Sequence, residues 1–175
     1  MRAAEAFGVL SKRGKSPKRL MDLLTDKNEL VRVAAVESLA SIGDHRALPA
    51  VGKTLHDKSP LVRSYAAEAV GKLGSGKDTR LLTDLQQTEK DELVRVGLAK
   101  ALYDLGKRDM LRELLNYLST GQDYRTRCAA ANVLAELRLN KTDKETTINT
   151  LRRVLRCEPT VATRSSIRST LRELE

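Results

Sequence analysis

Side chains capable of catalysis or metal binding are sparse in this chain. It has two histidines, His45 and His56, and two cysteines, Cys128 and Cys157, in 175 residues. A protein-held zinc needs imidazole and thiolate donors at close spacing, as in HExxH or CxxC, because several donors must reach one ion. Neither spacing occurs. There is no Gly-rich phosphate loop and no GxSxG turn to raise a serine nucleophile. Glu37 and Glu68 stand 31 residues apart and are the carboxylates that acid chemistry would draw on. Such a pair becomes useful only when burial or a close neighbour shifts its ionisation. We therefore assign no catalytic, cofactor or metal residue and expect no enzymatic activity, with both cysteines reduced and structural.

The arginines are more regular. Arg32, Arg63, Arg95, Arg127 and Arg164 follow one another at steps of 31, 32, 32 and 37 residues, a period that belongs to stacked helix pairs. Six residues before them stand Asp26, Asp57, Glu89 and Glu158, with Gly121 in the remaining place of the column. With each arginine as zero, positions −1, +3, +6, +7 and +10 are apolar or small and share one arc of a helix, while +1, +2, +5 and +9 fall opposite. Position zero lies inside the apolar arc, so each guanidinium must run its stem over apolar surface and find an acceptor. A structural ladder of acids and arginines is expected rather than a ligand site, because stacking requires the same residue in every repeat and a ligand rarely does.

These residues ask for an all-α array. The alanine-rich helices that carry the arginines stop at Gly43, Gly74 and Gly106, each placed where a left-handed residue closes a helix. Shorter first helices are expected over 17–25, 45–56, 79–88, 108–119 and 146–157, with Ser16, Pro17, Asp44 and Asp78 as start signals. The expected units are a partial helix at 1–13 and hairpins at about 16–43, 45–74, 78–106, 108–138 and 146–175, forming a single array. The connection at 138–147 is about five residues longer than its counterparts and should bulge out as a loop. Because the pattern starts inside a repeat, it also suits a piece of a longer array, and the chain is expected to be a monomer or, where uncapped end faces pair, an end-to-end dimer.

The segment GDHRALPAVGKTLHDKSPLVRSYAAEAVGKLG, with its acid, Val-Arg, alanine-rich helix and closing Leu-Gly, resembles the HEAT-repeat family, nearest its short variety named after the phycobilisome lyases. The resemblance covers almost the whole chain. It implies a right-handed superhelix of about five hairpins, with the acid capping its helix start, the arginine bridging successive repeats and the second helices lining a concave face. Such repeats serve scaffolds, transport receptors, bilin lyases, metal-dependent hydroxylases and some DNA glycosylases, and neither His45 nor His56 belongs to a His-Glu pair of the kind the hydroxylases use. On the implied concave face, position +5 carries Glu37, Glu68, Lys100 and Asn132, and position +9 carries Lys72, Asp104 and Glu136. Tyr65 and Tyr103 would be aromatic anchors. A face whose charge changes sign from repeat to repeat suits a protein or peptide better than a phosphate backbone, which wants a continuous positive track. An adaptor is therefore the leading reading.

The net charge of +9 gives a rival. Its excess gathers in two clusters: Lys12, Arg13, Lys15, Lys18 and Arg19 at one turn, and Arg138, Lys141, Lys144, Arg152, Arg153 and Arg156 around the long connection. Loop-edge basic patches of this kind hold phosphates, which makes nucleic acid the second candidate partner. Stacking platforms are few, with no Trp and one Phe, so single strands gain little there. No apolar run approaches the roughly 20 residues that cross a bilayer, and the cytoplasm is the expected location.

Overall fold

The computed structural model describes residues 18–175. Ten α-helices and short 3-10 turns account for its regular structure, with no strand among the described residues. The chain divides at Gly106 into two compact units.

Among the described residues, the first unit contains three helix hairpins: α1 (Lys18–Asp22) with α2 (Glu29–Ile42), α3 (Leu48–Lys53) with α4 (Pro60–Leu73), and α5 (Thr79–Thr88) with α6 (Glu92–Asp104). Short polar side chains start them. Asn28 accepts a hydrogen bond from the Leu30 amide, Asp44 from Arg46 and Asp91 from Leu93, each relieving amides that have no partner inside the helix. The second helices then stack sideways, α2 on α4 and α4 on α6. They approach closely: a Cβ on Gly71 would stand 2.7 Å from the Ala101 Cα, and one on Gly97 would stand 2.7 Å from Ser64 Oγ. The small residues are thus a spacing device. Lateral stacking also buries position +1, expected on the free face, in Val33, Ser64 and Val96.

Two of the three glycine stops are left-handed, Gly43 at φ 72° and Gly106 at φ 103°. Gly74 is not; at φ −83° and ψ −170° its backbone is extended. The cause is the next turn, where Ser75 and Asp78 form a reciprocal cap. Asp78 accepts from the Ser75 amide at 2.8 Å and draws the chain straight out of α4.

The second unit pairs α7 (Met110–Thr120) with α8 (Tyr124–Glu136) and α9 (Lys141–Cys157) with α10 (Val161–Leu174). Here α8 stacks on α10, and Thr170 replaces an apolar residue at the contact by donating its hydroxyl to the Ala131 carbonyl at 2.8 Å. The connection expected to bulge over 138–147 is helical from Lys141 onward. Asn140 explains the difference: its Oδ1 accepts from the Asp143 amide and its Nδ2 donates to Asp143 Oδ2, both at 2.8 Å. That reciprocal cap starts α9 five residues earlier than the alignment of repeats suggests.

Candidate functional site

Three arginines of the column, Arg32, Arg63 and Arg127, bridge consecutive hairpins. Arg32 donates to both carboxylate oxygens of Asp57 at 2.8 and 2.7 Å. Arg63 does the same to Glu89 at 2.9 and 3.0 Å, and Arg127 to Glu158 at 2.8 and 3.0 Å. The remaining guanidinium nitrogen turns back to its own hairpin, Arg32 to the Asp26 carbonyl, Arg63 to that of Asp57 and Arg127 to that of Gly121. Arg164 follows the rule with the carbonyls of Glu158 and Pro159, and Arg95 is half-buried at the same place in α6. Each acid also caps its turn: Asp26 accepts from Asn28, Asp57 from Ser59, Glu89 from Asp91 and Glu158 from Thr160. One carboxylate therefore closes a turn and ties two hairpins.

These pairings set the ionisation of the acids. The Arg127 guanidinium, opposed by burial and helped by the Thr160 hydroxyl and amide, lowers Glu158 to about 2. Burial pushes Asp57 and Glu89 up, but the hydrogen bonds and charge of Arg32 and Arg63, with the turn amides, outweigh it and hold both below the usual carboxylate range. Asp57, Glu89 and Glu158 are thus each held in the ionised form by the arginine they face.

The second-helix face is less open than its periodicity implies. Glu37, Lys72, Asn132 and Glu136 are exposed, while Tyr65 and Glu68 are half-buried. Lys100 and Tyr103 are buried, at 3% and 1% exposure, and so are not available to a partner. Lys100 lays its stem in the core and sends Nζ to Asp104 Oδ2 at 3.0 Å, which spends that exposed acid on an internal pair.

Of the first basic cluster, Lys12, Arg13 and Lys15 lie outside the described residues, and Lys18 and Arg19 are exposed on α1. The second is partly dispersed. Lys141 and Lys144 open α9 instead of hanging in a loop, Lys144 half-buried. The Arg138 carbonyl accepts from Arg108 at 3.2 Å, and Arg152 pairs with Glu175 at 2.9 Å. Arg153 and Arg112 both line a groove of about 810 Å³ formed by α7 and α9, together with Met110, Leu115 and Thr150.

His45 Nδ1 lies 2.6 Å from the Leu73 carbonyl and His56 is exposed at the end of a 3-10 turn. Both cysteines are free; Cys128 Sγ lies 3.3 Å from Thr163 Oγ1. Among the described residues no three of His, Cys, Asp and Glu come together to hold a metal ion, and no helix is long and apolar enough to cross a membrane.

Periodicity alone did not reveal the turn edge, where the second helices begin. Leu30, Tyr124 and Val161 expose large apolar side chains there, 60%, 45% and 74% accessible. In the second unit Tyr124 and Val161 occupy the same place, three residues before the arginine, on adjoining helices whose starts meet through a 3.4 Å hydrogen bond from Thr163 Oγ1 to the Tyr124 carbonyl. In the first unit a groove of about 650 Å³ crosses two successive turns, with Lys27, Lys53 and Lys58 on its walls. The available signal was Lys27, Lys58 and Lys90, each standing directly after a ladder acid.

Known proteins resemble this arrangement. Residues 17–103 match the family model of HEAT repeats. Deoxyhypusine hydroxylase-B of Oryza sativa subsp. japonica is 36% identical over 81 residues, a stretch covering 45% of this chain and 27% of that protein; the match thus spans about a quarter of the relative's length. Among solved structures, a chain from the complex of CpcE and CpcF of phycocyanin lyase from Nostoc sp. PCC7120 has a TM-score of 0.58 at 19% identity, over 88% of this chain and 96% of that one. Human deoxyhypusine hydroxylase in complex with glycerol has a TM-score of 0.54 at 19% identity, over 99% of this chain and 78% of that one. These structural likenesses establish the helical-repeat fold.

Proposed function

Residues 17–103 are HEAT repeats, and from that premise we propose that the chain is a scaffold that binds another protein through its turn edge and the exposed positions of its second helices. The observation that carries this reading is the placement of Leu30, Tyr124 and Val161. Large apolar side chains this exposed, recurring where second helices begin, gain by being covered, at about 1.5–3 kcal/mol for each that is fully buried. The ladder supports the same reading, since it keeps stacking chemistry constant and leaves outward residues such as Glu37, Lys72 and Asn132 free to differ between repeats. The phycocyanin lyase structure, itself a complex of CpcE with CpcF, shows this fold in a two-protein assembly.

Affinity capture tests the reading. Tyr124→Ser with Val161→Ser, and separately Lys72→Glu with Asn132→Arg, should each reduce recovery of the proteins that copurify with the wild-type chain. Recovery unchanged by both pairs would sink it.

A second reading rests on α9, where Lys141, Arg153 and Arg156 are exposed alongside the paired Arg152. That helix would contact phosphates of a duplex, with affinity that falls steeply with salt. Anisotropy of labelled duplex DNA at low and near-physiological salt checks it. Lys141, Arg153 and Arg156 changed to Gln should abolish binding; if they do not, these charges serve solvation.

A further inference from the structure

The turn edge of the first unit holds a groove whose acids are engaged within the protein and whose lysines form no ion pair there among the described residues. It runs across the ends of α1 and α3 and the turns that follow them, with a volume of about 650 Å³. Met21, Leu24 and Ala50 supply its apolar lining, and Lys27, Lys53 and Lys58 its charged walls. Asp57, which also lines it, is held by Arg32 at 2.7 Å and by the Ser59 amide. Asp26 accepts from the Asn28 amide at 2.8 Å, and nearby Glu29 accepts from the Ser59 hydroxyl at 2.6 Å. Among the described residues, no ion pair or side-chain hydrogen bond engages the ammonium groups of Lys27, Lys53 and Lys58, and all three lysines are exposed. Counting Arg32 with the three lysines against Asp26 and Asp57, the lining carries two more positive than negative charges.

We propose that this groove receives an acidic segment of a partner protein, its carboxylates taken by Lys27, Lys53 and Lys58 and an apolar side chain laid over Met21, Leu24 and Ala50. The proposal deepens the protein-binding reading by naming the chemistry of a partner, and it uses a surface in the other unit from Tyr124 and Val161. Charge complementarity selects an acid, and the apolar lining selects a peptide. A phosphodiester chain offers nothing to cover Met21 and Leu24, and its bases would find no Phe, Tyr or Trp in this lining to stack on, with His56 the one ring among the lining residues. Consecutive turns of a helix stack lie about 8–10 Å apart, so Lys27 and Lys58, one repeat apart, suit side chains two or three residues apart on an extended strand.

The test is fluorescence anisotropy of the full chain with a labelled peptide of alternating Glu and Leu, beside a Lys and Leu peptide and a single-stranded RNA. The Glu and Leu peptide should bind, more weakly as salt rises. Lys27→Glu with Lys58→Glu should weaken it about tenfold or more, while Lys77→Glu, an exposed lysine outside this groove, should leave it unchanged. Circular dichroism confirms that the variants are folded. The proposal is overturned if the Glu and Leu peptide does not bind, if the double variant binds it as the wild type does, or if the RNA binds more tightly through the same lysines. Any of these results leaves the Tyr124 and Val161 capture experiment standing on its own.

Discussion

Arg127 and Glu158 meet through two parallel hydrogen bonds of 2.8 and 3.0 Å, joining α8 to the turn before α10. Glu158 is nearly closed to solvent, its side chain 3% exposed against 14% for Arg127. Removing one partner strands the other's charge where water reaches it poorly, and such losses run to about 3 kcal/mol or more. Arg127→Ala should therefore lower the stability of the chain by roughly that amount in urea denaturation. The paired change Arg127→Met with Glu158→Leu should be milder than either single change, because no charge is left unpaired. A double variant less stable than both singles would show that the bridge contributes more than charge compensation.

The same pair makes stability depend on pH. Glu158 is lowered from its ordinary 4.5 to about 2, chiefly by Arg127. A carboxylate depressed on folding contributes stability that is fully present above its unfolded value and disappears as pH falls through the folded one. The shift corresponds to about 3 kcal/mol, lost progressively between pH 4.5 and 2. Denaturation midpoints measured across that window should fall less steeply for Glu158→Gln than for the wild type. Parallel slopes would mean that Glu158 titrates normally. Asp57 and Glu89, also held low, act with the same sign in the first unit.

What could be read from sequence was whatever repeats along one chain. The acid and arginine columns recur at nearly fixed spacing, so a ladder was legible before any coordinates, while its bridging of successive hairpins was what the HEAT-repeat resemblance implied. The buried state of Lys100 and Tyr103 was not. A helical wheel divides one helix into inside and outside, whereas burial in a stack also depends on how closely neighbouring helices approach, and that is set by residues such as Gly71 and Gly97 one repeat apart. Gly74 misled for a local reason, since the reciprocal cap of Ser75 and Asp78 overrides the left-handed preference of a helix-closing glycine. The lysine groove escaped notice because Lys27 and Lys58 read singly as surface charge. Only when the ladder is seen to consume Asp57 do they stand out as cations left over.

The close approach of second helices gives a prediction whose sign separates two effects. In an isolated helix, replacing Gly97 by Ala would stabilise by about 1 kcal/mol. In this stack the added methyl would stand 2.7 Å from Ser64 Oγ and 2.8 Å from the Ser64 carbonyl oxygen, and the carbonyl cannot rotate away as a flexible side chain would. Gly97→Ala should therefore destabilise by about 1–3 kcal/mol, and Gly71→Ala, facing the Ala101 Cα at 2.7 Å, should do likewise. Gly52 has nothing within 4 Å of its absent Cβ and lies in α3, so Gly52→Ala should be neutral or stabilising in the same thermal melts. Stabilisation by Gly97→Ala would mean that α4 and α6 part easily.

Asn140 carries the last prediction, because it turns an apparent loop into helix. Its two hydrogen bonds with Asp143 satisfy an amide at the start of α9, and the first turn contains little else to hold it: Lys141 and Thr142 are exposed, and Thr147 is the first buried residue of the helix. Asn140→Ala should cost about 1 kcal/mol, and the loss should be local. Hydrogen exchange at residues 141–146 should quicken well beyond that of the C-terminal half of α9, where Leu151 and Val154 anchor the helix in the core. Asn140→Asp should keep most of the protection, since its carboxylate still accepts from the Asp143 amide and favours the positive end of the helix. Equal exchange in wild type and Asn140→Ala would assign the early start of α9 to packing rather than to its cap.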